Sequence, residues 1–156
     1  MIEIFLNHGY VALVDDDDYH LVSRIKWSFV KVRPPKQVYA RGLDKSTGKL
    51  VYMHRLIMGV TSRGIHIDHI NGNTLDNRRE NLRECTITEN NRNRGKMKGS
   101  NTFKGVLKRF NKWAAAIKVD NKSIRLGSFH TEREAAIAYN EAALRYHGEF
   151  ANLNEV

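Results

Sequence analysis

Cysteine is almost missing from this sequence: Cys85 is the single one in 156 residues. An internal disulfide is excluded, and so is a zinc ribbon built from paired Cys-x-x-Cys knuckles. Any bound metal must therefore sit on oxygen and nitrogen ligands. Proline is confined to Pro34 and Pro35. No apolar run approaches the roughly 20 residues of a membrane span. The opening segment, Met1 to His8, is too short and too soon interrupted to act as a secretory leader. A cytoplasmic protein with no membrane partner is expected. Acidic residues are also in deficit, 17 Asp plus Glu against 26 Lys plus Arg, for a formal charge of +9. Such an excess concentrates polyanions around the chain and makes nucleic acid the leading partner.

What is present suffices for a folded protein, with 41% hydrophobic and 28% charged residues, well away from disordered composition. The length allows one domain or two small ones and disfavours a large buried cofactor site. Charge changes character near Arg94: from there to Arg125 the Lys and Arg residues are opposed only by Asp120. Gly95-Lys96-Met97-Lys98-Gly99-Ser100 has two glycines and no hydrophobic period, so 95–100 reads as a basic linker between modules at 1–94 and 101–156.

In the first module, Ile2, Ile4 and Leu6, a turn at Asn7-His8-Gly9 and the run Tyr10 to Val14 predict a hairpin. Asp15 to Asp18 precede Tyr19 to Ile25. They read as caps for a helix there rather than as a calcium loop, because the spaced-oxygen pattern is missing. The basic loop Arg33-Pro34-Pro35-Lys36 reads equally as a phosphate contact or as a solvated turn. A helix from His54 should end at Gly59. Alternation through Ile65, His66, Ile67 and Asp68 marks a strand that turns at Asn71-Gly72. Asn81 to Cys85 fits the return strand, and Thr86 with Glu89 forms a capping box that opens a helix carrying Asn90.

The constellation of Asp68-His69, Asn81 twelve positions later and Asn90 nine further resembles the HNH endonucleases, together with Asp76-Asn77-Arg78-Arg79-Glu80-Asn81 and upstream His54-Arg55-Leu56-Ile57. That resemblance implies a ββα-metal core at about 64–94 and a phage or homing type of nuclease. It makes His69 the general base and Asn81 the catalytic-site brace of the loop between the strands. Asp68 and Asn90 become the ligands of one divalent cation. Asn90 stands where many relatives carry histidine, so the donor set is two oxygens, favouring Mg²⁺ or Mn²⁺ over zinc. The residue types suit the chemistry, since an imidazole of ordinary pKa near 6.5 can take a proton from water at neutral pH. His54 and His66 are accessory candidates. Neighbours on a regular strand face opposite ways, so Asp68 and His69 share a site only if the chain bends. A Asp-His pair can also be a plain surface hydrogen bond, and asparagines commonly make turns.

The second module predicts strands at Phe103 to Arg109, Trp113 to Val119 and Lys122 to Ser128. A helix follows from the Thr131/Glu134 capping box to Gly148, its alanines lying close on the sheet and Tyr139 and Leu144 filling the remainder. Phe103-Lys104-Gly105-Val106, Lys112-Trp113-Ala114-Ala115, Leu126-Gly127-Ser128-Phe129, Glu134-Ala135-Ala136, Ala138-Tyr139 and Asn152-Leu153-Asn154 resemble the AP2 DNA-binding domain. The resemblance implies a three-stranded antiparallel sheet packed on one helix, its open face in the major groove of double-stranded DNA. Lys104, Arg109, Lys118 and Arg125 fall at or near that family's contact positions. Leu107 and Ala116 replace a further Arg and a Glu, so phosphate affinity is better founded than any recognised sequence.

The whole is expected to be α+β, acting as a monomer in the cytoplasm of a bacterial or phage-infected cell. One nuclease site per chain makes a nick the simplest product, and a double-strand break would require a dimer or two events. The rival from another class is a non-catalytic, sequence-specific DNA-binding regulator with a decayed nuclease core. An RNA-directed nuclease is disfavoured because no RNA module is recognisable.

Overall fold

The computed structural model describes residues 1–32, 37–95 and 102–156. The basic Pro-Pro loop at 33–36 and all but the first residue of the expected linker lie outside the described residues. The chain divides into two compact units, Met1–Ile87 and Thr88–Val156.

The first unit opens with the expected hairpin, β1 (Ile2–Phe5) against β2 (Val11–Val14), in register Ile2↔Val14 to Phe5↔Val11. Its turn puts His8 and Gly9 in the left-handed region. A 3-10 turn at Asp16–Asp18 leads into α1 (Tyr19–Val22), which is shorter than the sequence implies. The aspartates do not cap it, for no side chain of the run bonds to the helix start. Asp18 is instead buried and takes three bonds from the Arg79 guanidinium at 2.7–3.1 Å, while the Asp15 carboxylate accepts the Arg79 backbone N–H at 2.8 Å. A buried carboxylate requires a hydrogen-bonded cation, and this pairing 61 residues along the chain outweighs local capping.

Next come β3 (Trp27–Val32), β4 (Gln37–Asp44) and β5 (Lys49–Tyr52), an antiparallel sheet in the order β3-β4-β5. Helix α2 (Met53–Ile57) follows and ends before Gly59 at φ +66°. Strands β6 (His66–His69) and β7 (Leu82–Cys85) pair antiparallel across a long loop, and α3 (Ile87–Asn93) comes directly after Thr86. The order strand, loop, strand, helix is that of a ββα unit. The core gathers Ala12, Val14, Val22, Trp27, Met53, Ile57, Ile67 and Leu82. Trp27 closes it with its indole N–H, which donates to the Val22 carbonyl at 2.9 Å.

The second unit holds β8 (Val106–Arg109), β9 (Lys112–Val119), β10 (Lys122–Phe129) and α4 (Glu132–His147), with sheet order β10-β9-β8. The first strand begins three residues later than expected because Gly105, at φ +75°, turns the chain there and accepts the Ala116 N–H. Both halves of the capping box are present: Thr131 Oγ1 accepts the Glu134 N–H, and Glu134 accepts the Thr131 N–H, each at 3.2 Å. Ala135, Ala136 and Ala143 are fully buried and let α4 lie close against Ala115, Val106 and Ile117. Tyr139 fills the interior as expected. Leu144 does not: it is 56% exposed on the far side of the helix, one residue beyond the inward Ala143.

Candidate functional site

Strand β6 delivers two chemistries to two sides. Asp68 lies directly opposite Arg83 on β7, and cross-strand partners share a face. Arg83 Nε and Nη2 reach Asp68 Oδ2 at 3.0 and 2.7 Å, with the Asp68 carboxylate buried and the Arg83 side chain partly exposed. His66 shares that side of the strand, half-buried opposite Cys85, two residues from Asp68. His69, the next residue, turns the other way.

The His69 ring enters an aromatic cluster assembled from three other elements. His54 from α2 meets it at 5.2 Å between centroids, and Tyr39 from β4 at 6.1 Å. Tyr39 and Tyr52, the last residue of β5, flank His54 at 5.4 and 5.7 Å. Burial, the neighbouring His69 and Arg55 push the His54 pKa down to about 3. Burial also lowers that of His69, opposed by its contact with Asn77 and by the carboxylates of Asp68 and Asp76. Both imidazoles are thus neutral near pH 7, the form in which a histidine accepts a proton.

The loop between β6 and β7 is braced from within. Asn81, buried at its far end, accepts the Asn71 N–H at 2.9 Å and donates to the Asp76 carbonyl at 2.8 Å. Asp76 is gripped by Arg78 through two bonds of 2.8 Å and by the Asn71 amide at 2.9 Å, which together hold its carboxyl below the usual range. Thr74 donates to the Val38 carbonyl, tying the loop to the sheet. On the strand pair, Asn71, Asp76 and Asn81 act as one internal truss.

The first unit thus brings His54 to His69 and braces the adjoining loop with Asn81, while Asp68 faces Arg83 on the other side of β6 and Asn90 lies on α3 within the second unit. Among the described residues, no group of three or more His, Cys, Asp or Glu is placed to hold a metal ion. A carboxylate and a carboxamide are hard oxygen donors that fit a cation retaining much of its water, such as Mg²⁺. Sequence reasoning missed Tyr39, Asn77 and Arg83. The pairing of Arg83 with Asp68 follows once the hairpin register is known. Tyr39, 30 residues before His69, carried no signal.

In the second unit, the inward side of β9 is set by Ala115 and Ile117, so Ala114, Ala116 and Lys118 face outward. Register then places Arg125 (↔Ala116), Leu107 (↔Ala114) and Arg109 (↔Lys112) on the same open face. Arg109, Lys118 and Arg125 thus share one exposed surface, joined by Lys112. Lys104 is elsewhere: its ammonium donates to the Arg92 and Arg94 carbonyls at 2.7 and 2.6 Å, at the end of α3, and burial brings its pKa down to about 8. At the β8–β9 turn, Phe110 projects 98% exposed between Arg109 and Lys112.

The HNH endonuclease family model matches residues 51–92, which span α2, the β6–β7 hairpin and nearly all of α3. An uncharacterised HNH endonuclease of Acanthamoeba polyphaga mimivirus is 31% identical over 154 residues, covering 95% of this chain and 76% of that protein. Dehydration-responsive element-binding protein 2D of Arabidopsis thaliana is 48% identical over 56 residues, 34% of this chain and 27% of that protein. APETALA2-like protein 2 of Oryza sativa is 32% identical over 128 residues, 76% of this chain and 29% of that protein. The chain thus spans about three quarters of the viral relative and under a third of the plant ones. No solved structure matches. Among the described residues, no helix is long and apolar enough to cross a membrane.

Proposed function

Since the chain belongs to the HNH endonuclease family, we propose that it hydrolyses phosphodiester bonds in double-stranded DNA, with His69 as general base and the AP2-like sheet as the DNA-holding surface. The observation that carries this reading is the His69 imidazole, kept neutral by burial beside His54 and Tyr39 at the end of the family's β6 hairpin strand. A neutral imidazole at that position takes the proton from an attacking water. Asn81 keeps the loop beside it in one shape through its bonds to Asn71 and Asp76. Asp68 would serve as a ligand of one divalent cation, Mg²⁺ or Mn²⁺, which would supply Lewis-acid charge at the scissile phosphate when bound.

Holding the duplex falls to the open face of the second unit. Arg109, Lys112, Lys118 and Arg125 present four cations on one face of three strands, a charge that favours phosphates. Linking that face to the nuclease raises the effective concentration of each for the same DNA. One nuclease site per chain makes a single-strand nick the simplest product. The dehydration-responsive and APETALA2-like relatives support the DNA-binding assignment through their shared module.

One observation favours a second reading. Arg83 already occupies the Asp68 carboxylate, as in a site that no longer recruits a cation, and that would leave a DNA-binding regulator without nuclease activity. Incubation of supercoiled plasmid with Mg²⁺, and in parallel with EDTA, separates the two. Metal-dependent relaxed or linear product supports the nuclease, and intact plasmid together with tight duplex binding supports the regulator.

A further inference from the structure

Helix α4 ends on a histidine that the nuclease reading does not use. His147 is the last residue of the helix and is 7% exposed. Its Nε2 lies 3.0 Å from the Lys118 carbonyl. A carbonyl can only accept, so Nε2 carries the hydrogen, and in a neutral ring the lone pair is then on Nδ1. That atom is buried and has no hydrogen-bond partner among the described residues. An unpaired acceptor of this kind costs the fold roughly 1–3 kcal/mol, which a ligand with a matching donor recovers.

The ring borders a cavity of about 640 Å³ inside the second unit, a size typical of small-molecule sites. Charge around this cavity is lopsided. Arg92, Arg94, Lys104 and Lys118 line it, and among the described residues Asp120 is the one carboxylate in the lining. Asp120 is 80% exposed and lies 3.3 Å from Arg92 Nη2, so it offsets one cation of the four. The Lys104 ammonium gives two hydrogens to the Arg92 and Arg94 carbonyls, so one of its three is not committed there. Buried Val106 and Tyr139 also line the space, and an apolar wall strengthens the attraction of these cations for an anion. Burial holds the His147 pKa below its ordinary value against the Lys118 contact, with Arg92 and Lys104 adding to the burial effect. The ring therefore stays neutral and Nδ1 remains an acceptor.

An occupant has to meet two demands at once, negative charge for the cations and an O–H for Nδ1. Sulfate and a phosphodiester bring only the charge. Inorganic phosphate, or a phosphomonoester near its second pKa of about 6, brings both. We propose that this cavity binds a phosphate monoanion, free or at the end of a nucleic acid strand: its P–OH donates to His147 Nδ1 while its charged oxygens meet Lys104 and Arg92. The site lies apart from the open DNA-binding face and needs no cleavage chemistry, so it stands whether or not His69 is a base.

The experiment titrates the full chain at about pH 6.5, where much of the phosphate carries a P–OH, with inorganic phosphate and in parallel with sulfate at matched ionic strength. Long-range ¹H–¹⁵N spectra of ring-labelled protein follow His147. The free protein is expected to show Nε2–H. Phosphate should saturate and shift the Nδ1 resonance, and sulfate should bind about 10-fold more weakly, the loss of one buried hydrogen bond. Lys104→Met should weaken phosphate several-fold, and His147→Phe should erase the preference for phosphate over sulfate. Duplexes with 5′-phosphate and 5′-hydroxyl ends then identify the source. Tighter binding of the phosphorylated duplex, lost in Lys104→Met, assigns the site to strand ends; equal binding of the two duplexes with inorganic phosphate still bound assigns it to a free phosphate, and either result supports the site. Equal affinity of wild type for phosphate and sulfate overturns the proposal even if His147→Phe fails to fold. So does a His147 ring protonated on Nδ1 in the free protein, or one whose resonances do not move as phosphate is added.

Discussion

The imidazoles of His54 and His69 meet edge to face, 5.2 Å between centroids and 75° between planes. Two histidines this close in a buried site cannot both be charged without repelling each other, and burial already disfavours either charge. The pair works as apolar rings that titrate only at a cost to the fold.

Acid should expose that cost. The folded pKa of His54, about 3, lies below its ordinary value of 6.5, so between those limits the unfolded chain binds the extra proton. Stability contributed by neutral His54 is full above about pH 6.5 and is lost as pH falls toward 3, at up to roughly 1.4 kcal/mol per pH unit. His54→Phe retains the ring and removes the titration. Urea midpoints between pH 7 and pH 4 should therefore fall steeply in wild type and less steeply in the variant.

The pairing of Arg83 with the buried Asp68 carboxylate gives a second test. Arg83→Leu takes the guanidinium away from a buried carboxylate and should destabilise the first unit by about 2–3 kcal/mol. With Asp68 no longer engaged by the guanidinium, Mg²⁺ should raise the melting temperature of the variant more than that of wild type, as binding to the folded state alone requires. Thermal melts with and without Mg²⁺ measure both effects.

Gly105 has no room for a side chain. A Cβ there would fall 2.0 Å from Tyr139 Cδ2 and 2.8 Å from the Ala116 carbonyl, at φ +75°. Gly105→Ala should destabilise the second unit by about 3 kcal/mol or more through steric overlap and backbone strain together. A shift of the unfolding midpoint to lower denaturant is the readout.

Phe110 presents the opposite case, a bulky residue held at φ +52° and 98% exposed. Left-handed backbone costs such a residue about 1 kcal/mol, which asparagine largely avoids. Phe110→Asn should raise stability by about 0.5–1 kcal/mol while weakening duplex binding several-fold. Because no cation is removed, the slope of affinity against salt should not change. Fluorescence anisotropy at several salt concentrations checks this.

The secondary structure of both units was largely legible because hydrophobic alternation, Gly59, Gly148 and the Thr131 box are local signals. The family resemblance rested on separated motifs that agree in order and spacing, and the sequence relatives bear it out. What stayed hidden depends on distance. The acidic run read as a cap because capping is local, whereas its true partner Arg79 comes from the β6–β7 loop. Lys104 read as a surface contact because nothing in the sequence reveals that α3 ends with carbonyls within its reach. The turn of Asp68 and His69 to opposite sides followed from strand geometry, but the destinations of the two side chains, Arg83 for one and the Tyr39–His54 rings for the other, required the tertiary fold.

The most direct test of the account compares wild type with His69→Ala in single-turnover cleavage of a supercoiled plasmid with Mg²⁺, with duplex affinity measured alongside. A rate at least about 100-fold lower in the variant, at equal affinity, is the predicted result. Equal rates in the two proteins would contradict it.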